Sequence, residues 1–417
     1  MRKKKFSGYL MVVLCFAFIF VHMGVINSLG VFMPVIVEEN GFSTTQVSLL
    51  FSFAGIGAAL TGMFITPPAL KKFGPRKCMM TSTVLAAIHM LWYGLASHLV
   101  EFFISAVIAG IAIGIGIYAA TGAIIGNWFV KNRMTMIGII GAGSGLGSAL
   151  FNAAIGSTIP VLGYHNTYFV LAGVVLVVGF ALQIGLRSRP SDVGQEALGA
   201  ELAAEASSTQ KDTLPGVTFS QAKRSPSFYL VFAAGIFGNI AWTAVNMYVV
   251  TLLRSNYGLG LDVSSRYDAV LRGCMAIALI FSGKIAEKLG TRGYILYSAL
   301  TLGSGALIIL LTKSSIITMP VLLVITLMLL SVGGAQGSAN GQILANGIFG
   351  PRDFPTIQSY LLAGLNVGLA SSAFVAAPFV SDTGSVLNCF ALSLFCTIMW
   401  AILSLTGAAL SPYKKKK

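Results

Sequence analysis

Long apolar stretches recur along the whole chain, separated by short breaks that contain polar residues, proline or glycine. Most are near the ~20 residues that a helix needs to cross a bilayer, far longer than the roughly ten alternating residues of a barrel strand. The pattern predicts an all-α membrane protein with twelve transmembrane helices in two six-helix bundles. The predicted spans are 9–37, 46–70, 77–96, 100–126, 134–159, 164–186, 227–253, 266–287, 292–312, 316–346, 354–379 and 384–409.

The composition excludes an ordinary soluble protein. Only 10% of the 417 residues are charged, against about 25% in a typical soluble domain. Hydrophobic residues make up 56% and the mean hydropathy is +0.83. The 47 glycines agree with this class, because small residues let helices approach closely in lipid. No span carries a serine/histidine, histidine/glutamate or paired-aspartate arrangement, so we do not expect an enzyme.

The cysteines give no sign of a metal or redox site. All five lie in or beside apolar segments, without a CxxC pair and without histidine at ligand spacing. We therefore expect free thiols, no metal and no cofactor. The cysteines are Cys15, Cys78, Cys274, Cys389 and Cys396.

The basic charge of the chain, +14, is distributed as a topology signal. Of the 27 Lys and Arg residues, Arg254, Arg266 and Lys313 fall on one predicted side and Arg272 inside a span. All the others lie in the termini and loops of the opposite side. This bias predicts a multi-pass protein of the cell (inner or plasma) membrane with both termini in the cytoplasm. It explains the positive charge by contact with the lipid bilayer and without nucleic acid.

One long polar stretch, 188–226, divides the chain into two halves of six spans. We expect a bundle at 1–187, a cytoplasmic linker at 188–226 and a second bundle at 227–417. Segment 71–76 resembles 287–292, and 127–133 resembles 346–352, at nearly the same offset. These two matches predict a parallel duplication of the kind found in transporters.

The second copy of the repeated loop carries a recognisable signature. Gly283, Glu287, Lys288, Gly290 and Arg292 have the order typical of the major facilitator superfamily, which the chain resembles over its whole length. The resemblance implies twelve helices and a charge latch formed by Glu287, Lys288, Gly290 and Arg292, with Arg76 in the first copy. That first copy departs from the signature at two positions. It has Pro67 in place of the glycine and Lys71 in place of the acid.

A narrower resemblance is to the monocarboxylate transporters and the oxalate/formate antiporter group. It rests on Asp268 and Arg272 in span 8, and on the segments 27–32, 38–39, 73–76 and 127–129. In proton-coupled members such an aspartate carries the proton and the arginine holds the substrate carboxylate. Asn27 stands where mammalian members have a lysine, and span 11 has no lysine. A single buried cation then implies one substrate carboxylate.

The residues of span 8 indicate a carboxylate-binding site even when the family resemblance is set aside. A charge inside the membrane costs about 2.5–3.5 kcal/mol on insertion scales, so Arg272 is an unusual choice for packing alone. Its planar guanidinium suits a carboxylate, and Asp268 lies one helical turn away on the same face. The alternative is a structural ion pair that reaches toward the external surface.

Other polar or amphipathic side chains inside the spans are candidates for lining a central cavity or for bonding between helices. For substrate binding we select Asn27, Tyr118, Asn246 and Asn366 together with Arg272. The remaining members of the set are Asn152, Asn239, Trp242, Tyr248, Gln336 and Asn340. The alternating glycines of 141–147 resemble a dinucleotide loop, but without a preceding strand they indicate close helix packing.

These observations predict a secondary active transporter of small organic monocarboxylates that works by alternating access. Proton-coupled symport is the first choice because Asp268 is an acid well inside a span, and the protein is expected to act as a monomer. The alternative is an organic anion exchanger, in which a second carboxylate resets Arg272. A non-transporting membrane sensor is a third possibility that the absence of a soluble signalling domain disfavours.

Overall fold

A computed structural model describes residues 6–129, 133–199, 216–350, 352–380 and 386–413. Within these ranges the chain forms twelve helical spans in two bundles of six, which confirms the predicted fold class. In chain order they are α1 (Gly8–Asn40), α2 (Thr44–Phe73), α3 (Pro75–Leu95), α4 (Leu99–Trp128), α5 (133–162), α6 (164–184), α7 (Pro226–Asn256), α8 (261–289), α9 (291–312), α10 (Pro320–Phe349), α11 (Phe354–Ala376) and α12 (Leu387–Ala409).

Glycines separate several consecutive spans. Gly163 lies between α5 and α6 with φ 75°, and Gly290 lies between α8 and α9 with φ 66°. Gly74 joins α2 to α3 with φ 80° and ψ 163°, close to the 66° and 172° of Gly290. Such positive φ values favour glycine, which lacks the Cβ that would clash. The matching conformations at Gly74 and Gly290 support the predicted duplication.

The apolar core differs between the two ends of the molecule. We call the end that carries Phe6 and Tyr413 the terminal end. At the opposite end, one continuous core joins the N half (α1–α6) to the C half (α7–α12), as in Val25, Phe32, Val245 and Ala373. At the terminal end the halves have separate cores, one around Trp128 and one around Phe349. The halves are therefore packed together at the opposite end.

Both described parts of the 188–226 segment dock on the terminal end. The Leu198 amide donates to the Trp128 carbonyl at 2.9 Å in the N half. In the C half the Val217 amide donates to the Phe349 carbonyl at 3.0 Å, just before a short helix, Phe219–Lys223. The segment thus contacts each half directly after its fourth span.

Candidate substrate-binding site

The buried ion pair of α8 is the centre of the candidate site. Asp268 and Arg272 are four residues apart, which places them on one face of the helix. Nε of Arg272 donates to Oδ2 of Asp268 at 2.7 Å, and the two side chains are 5% and 0% exposed. At 1.5 Å per residue, Arg272 lies about 16 Å along α8 from its first residue, well inside the helix. The pair is thus a buried, charge-assisted contact well inside α8.

The carboxylate of Asp268 has a second partner from the other half of the molecule. Nδ2 of Asn152, on α5, donates to Oδ2 of Asp268 at 2.5 Å. Both residues are fully buried. The other carboxylate oxygen, Oδ1, is buried and has no hydrogen-bond partner within the described residues. Both hydrogen bonds to the Asp268 carboxylate are therefore accepted by the same oxygen, Oδ2.

Helices α1 and α7 meet beside the guanidinium. A Cβ placed on Gly30 would lie 3.1 Å from the backbone oxygen of Asn246 and 4.0 Å from Nη2 of Arg272. Glycine therefore allows α1 to approach both α7 and the arginine. The side-chain Oδ1 of Asn246 is buried without a partner among the described residues. The Asn246 backbone and the Arg272 guanidinium thus both lie beside Gly30.

Asn27 is placed differently. It lies at the break between the helical segments Gly8–Ile26 and Leu29–Asn40 of α1. Its Nδ2 donates to Oγ of Ser148, on α5, at 3.2 Å. The recorded contact of Asn27 is therefore a bond between helices of the same half.

The other predicted binding residues lie on α4 and α11, and no recorded contact joins them to Arg272. Tyr118 is 45% exposed, at the end of a π-helical turn in α4. Asn366 is partly exposed on α11. The side chains of Gln336 and Asn340 lie outside the described part of the structure.

The predicted latch residues are exposed at the terminal end. Glu287, Lys288, Gly290, Arg292 and Arg76 all face outward. None of the ion pairs found between described residues includes them. The four charged residues of this set are therefore exposed and form no ion pair among the described residues. They lie at the end of the molecule where the two halves have separate cores.

Further contacts between the halves lie toward the opposite end. Arg254 of α7 pairs with Glu38 of α1 at 3.4 Å. The Ala373 amide of α11 donates to Oγ of Ser52 of α2 at 3.3 Å, and a Cβ on Gly55 would lie 2.9 Å from the Ala370 backbone. Together with the shared core, these contacts close the opposite end around the α8 ion pair.

Sequence reasoning did not identify Asn152 as a partner of Asp268. The residue stood out only as one of several polar side chains within spans, because the approach of α5 to α8 is not visible in sequence. The composition of its span is the sequence signal that could have singled out Asn152. From 134 to 162 the chain has no ionisable side chain, and Asn152 is its one asparagine.

Comparison with known proteins identifies the class and then the family. The twelve-helix bundle, with an ion pair buried on α8, has the fold class of a polytopic membrane protein. The model of the Major Facilitator Superfamily matches residues 14–273, more than half of the chain. The protein belongs to that superfamily.

Individual relatives are distant. An MFS-type transporter of Gibberella moniliformis is 22% identical over 238 residues, 55% of this chain and 52% of the relative. The cis,cis-muconate transport protein of Acinetobacter baylyi is 25% identical over 260 residues, 61% of this chain and 60% of the relative. The chain thus matches only about half to three fifths of the length of these relatives.

A solved structure supports the fold over nearly the full chain. The bacterial homolog of the human lysosomal transporter Spinster, in its inward-facing and unoccupied conformation, superposes with a TM-score of 0.68. The match covers 98% of this chain and 97% of that protein at 16% identity. At this identity the likeness establishes the fold alone.

Proposed function

We propose that the protein is a secondary active transporter of small organic monocarboxylates, working by proton symport. The observation that carries the proposal is the buried guanidinium of Arg272, engaged by Asp268 through Nε. This contact leaves the edge formed by Nη1 and Nη2, whose parallel N–H groups match the two oxygens of a carboxylate. A substrate carboxylate at that edge would lie beside Gly30 and Asn246.

Charge balance favours symport of a proton with the anion. Ionised Asp268 and Arg272 together carry no net charge, which limits the cost of burying them. A monocarboxylate alone would leave the site with one excess negative charge in a medium of low dielectric. If Asp268 takes a proton as the substrate binds Arg272, the loaded site is again neutral and can be closed on both sides.

Alternating access would use the two halves as the moving units. We infer that 1–187 and 227–417 rock against each other about the α8 pair, with 188–226 as their connection. The distribution of Lys and Arg supports a cytoplasmic location for the terminal end. The described state, packed at the opposite end, then corresponds to an inward-facing transporter, and we infer that the monomer is the working unit.

The name of a relative supports organic acids as the wider class of substrate. The Acinetobacter baylyi protein, 25% identical to this chain, is named for transport of cis,cis-muconate, an organic acid. Muconate has two carboxylates, whereas the α8 site of this chain offers one arginine. The single arginine, Arg272, therefore favours a substrate with one carboxylate.

The proposal is tested by uptake into proteoliposomes with the purified protein. Radiolabelled lactate, pyruvate, formate and an aromatic acid are supplied with an inward proton gradient, with no gradient, and with unlabelled acid inside. Symport predicts accumulation that depends on the proton gradient. Accumulation that depends only on internal acid would favour the exchanger, and phosphate esters that outcompete every carboxylate would reject the substrate class. No flux of any anion would favour the sensor.

A further inference from the structure

The bond between Asn152 and Asp268 joins the two halves of the molecule through a charged group. Asn152 belongs to α5 of the N half and Asp268 to α8 of the C half. Both are fully buried, so water does not compete for the bond. Opening of the opposite end requires α5 to separate from α8, and this contact must then break.

The surroundings of the bond are a seam of small residues. A Cβ on Gly145 would lie 2.8 Å from the Cβ of Ala276, and one on Gly156 would lie 1.7 Å from Oγ of Ser265. Asn152 lies between these two contacts. The bond from Asn152 to Asp268 thus places a charged group in a closely packed crossing of α5 and α8.

The strength of this contact depends on the charge of Asp268. A hydrogen bond to an ionised carboxylate is about twice as strong as one between neutral groups. Oδ2 accepts from both Asn152 and Arg272, while Oδ1 has no partner among the described residues and is open to a proton. Protonation at Oδ1 would weaken the bond across the seam without moving any atom of α5.

The ionisable groups on the helices packed around the pair do not replace Asp268 in this role. From 134 to 162, α5 has no ionisable side chain, and α10 has none by sequence. On α7 and α1, Arg254 and Glu38 pair with each other, and His22 bonds to the Phe18 carbonyl and to Thr83. On α8 itself, Asp262 pairs with Arg266 at 3.7 Å in an exposed position. The charge that faces Asp268 is Arg272.

We propose that Asn152 is a positioning residue that holds the opposite end closed while Asp268 is ionised and releases it when Asp268 takes a proton. The proposal rests on the proposed function in one respect, the assignment of Asp268 as the proton carrier. After substrate and proton leave, the ionised empty carrier is held closed at the opposite end, so exchange should be faster than net flux.

The α2 and α11 crossing provides a matched control. Ser52 of α2 also accepts a bond across the halves, from the Ala373 amide, but neither group is ionised. Ser52→Ala removes a neutral bond between the halves, and Asn152→Ala removes the bond to a carboxylate. Ser265→Ala is a second control, because Ser265 lies in the α5 and α8 seam and bonds to its own helix at the Asp262 carbonyl.

The experiment measures the opening of the opposite end directly. Spin labels at Val161 and Val321, both exposed there, report the distance between the halves by double electron–electron resonance in nanodiscs. The five native cysteines are replaced beforehand. In the otherwise unmodified protein the closed population should fall as pH is lowered. Asn152→Ala should lower the ratio of closed to open about tenfold and remove its pH dependence, while Ser52→Ala and Ser265→Ala keep the pH dependence.

A reciprocal exchange separates positioning from simple packing. Combining Asn152→Asp with Asp268→Asn restores one amide and one carboxylate across the seam and should recover the closed population. Asn152→Asp alone should open the seam at high pH through repulsion of two carboxylates. A closed population that is independent of pH in the unmodified protein, or unchanged by Asn152→Ala, would overturn the proposal even if carboxylate uptake is established. The distance measurement is made without substrate, so failure of the monocarboxylate proposal would not alter it.

Discussion

The molecule has two corresponding crossings between its halves, and only one of them is charged. At the crossing of α2 with α11, Ser52 accepts a bond from the Ala373 amide. At the crossing of α5 with α8, Asp268 accepts a bond from Asn152. Counting back from the matched loops at Gly290 and Gly74, Ser52 occupies the position of Asp268 in the repeat.

The difference between the crossings lies in the residues that follow. Where α8 has Arg272, the same position of α2 has Ile56. The duplication thus preserves a polar contact at each crossing, while the buried ion pair belongs to the C half. We therefore expect substrate and proton binding at the crossing of α5 with α8. Both crossings are expected to hold the two halves together at the opposite end.

The largest effect is expected from Arg272→Lys. Lysine keeps the charge and loses the planar pair of N–H groups, so uptake of the preferred acid should fall at least about tenfold with normal expression. Arg254→Lys is the matched control, because Arg254 is an arginine of the opposite end whose side chain is 28% exposed. Unchanged substrate affinity in Arg272→Lys would contradict the assignment of this guanidinium.

Asp268→Asn should separate transport from the proton gradient. The amide imitates a protonated acid, so the variant should still exchange substrate but should no longer accumulate it with an inward proton gradient. Its dependence on external pH should disappear as well. Because Arg272 would lack its counter-charge, we also expect a lower melting temperature. Accumulation that still follows the gradient would mean that the proton moves by another route, such as with the neutral acid, and would favour the exchanger.

Gly156→Ala should weaken closure at the charged crossing without touching its charges. The added Cβ would meet both Oγ and Cβ of Ser265, so α5 and α8 must separate, at a cost of about 1–3 kcal/mol. Labelling of cysteines from the side of the opposite end should increase. Gly141→Ala on the same helix has no neighbour within 4 Å and should behave like the unmodified protein. Combining Gly156→Ala with Ser265→Gly should restore closure, and equal labelling in both alanine variants would exclude the steric account.

The smallest effect is expected at the loops of the terminal end. Glu287 has the acid of the family signature, and Lys71 has replaced it in the first repeat. If Glu287 pairs only when the terminal end closes, Glu287→Gln should shift the population toward the described state more than Lys71→Gln does. Cysteine accessibility from the two sides measures the shift. Equal shifts would show that the repeats contribute equally despite their difference in sequence.

The sequence was sufficient for the framework of the protein. Hydrophobic length predicted the twelve spans, and the repeated loops predicted the equivalence that Gly74 and Gly290 display. Asp268 and Arg272 could be paired from their spacing because both belong to one helix. Asn152 could not be assigned to them, since contacts between halves depend on how closely α5 and α8 pack. The hydrogen bond between Asn27 and Ser148 likewise depends on how α1 packs against α5, and the role of Asn27 in substrate binding stays a prediction.

The central claim, that Arg272 binds a substrate carboxylate, is tested most directly by equilibrium competition with neutral isosteres. The preferred acid and its primary amide, which has nearly the same shape, compete for the labelled acid on purified protein and on Arg272→Gln, which removes the positive charge. Loss of charge-assisted bonds should weaken the amide about 10- to 100-fold on the unmodified protein, with little difference between the two ligands on the variant. Equal affinity of the acid and its amide for the unmodified protein would contradict the account.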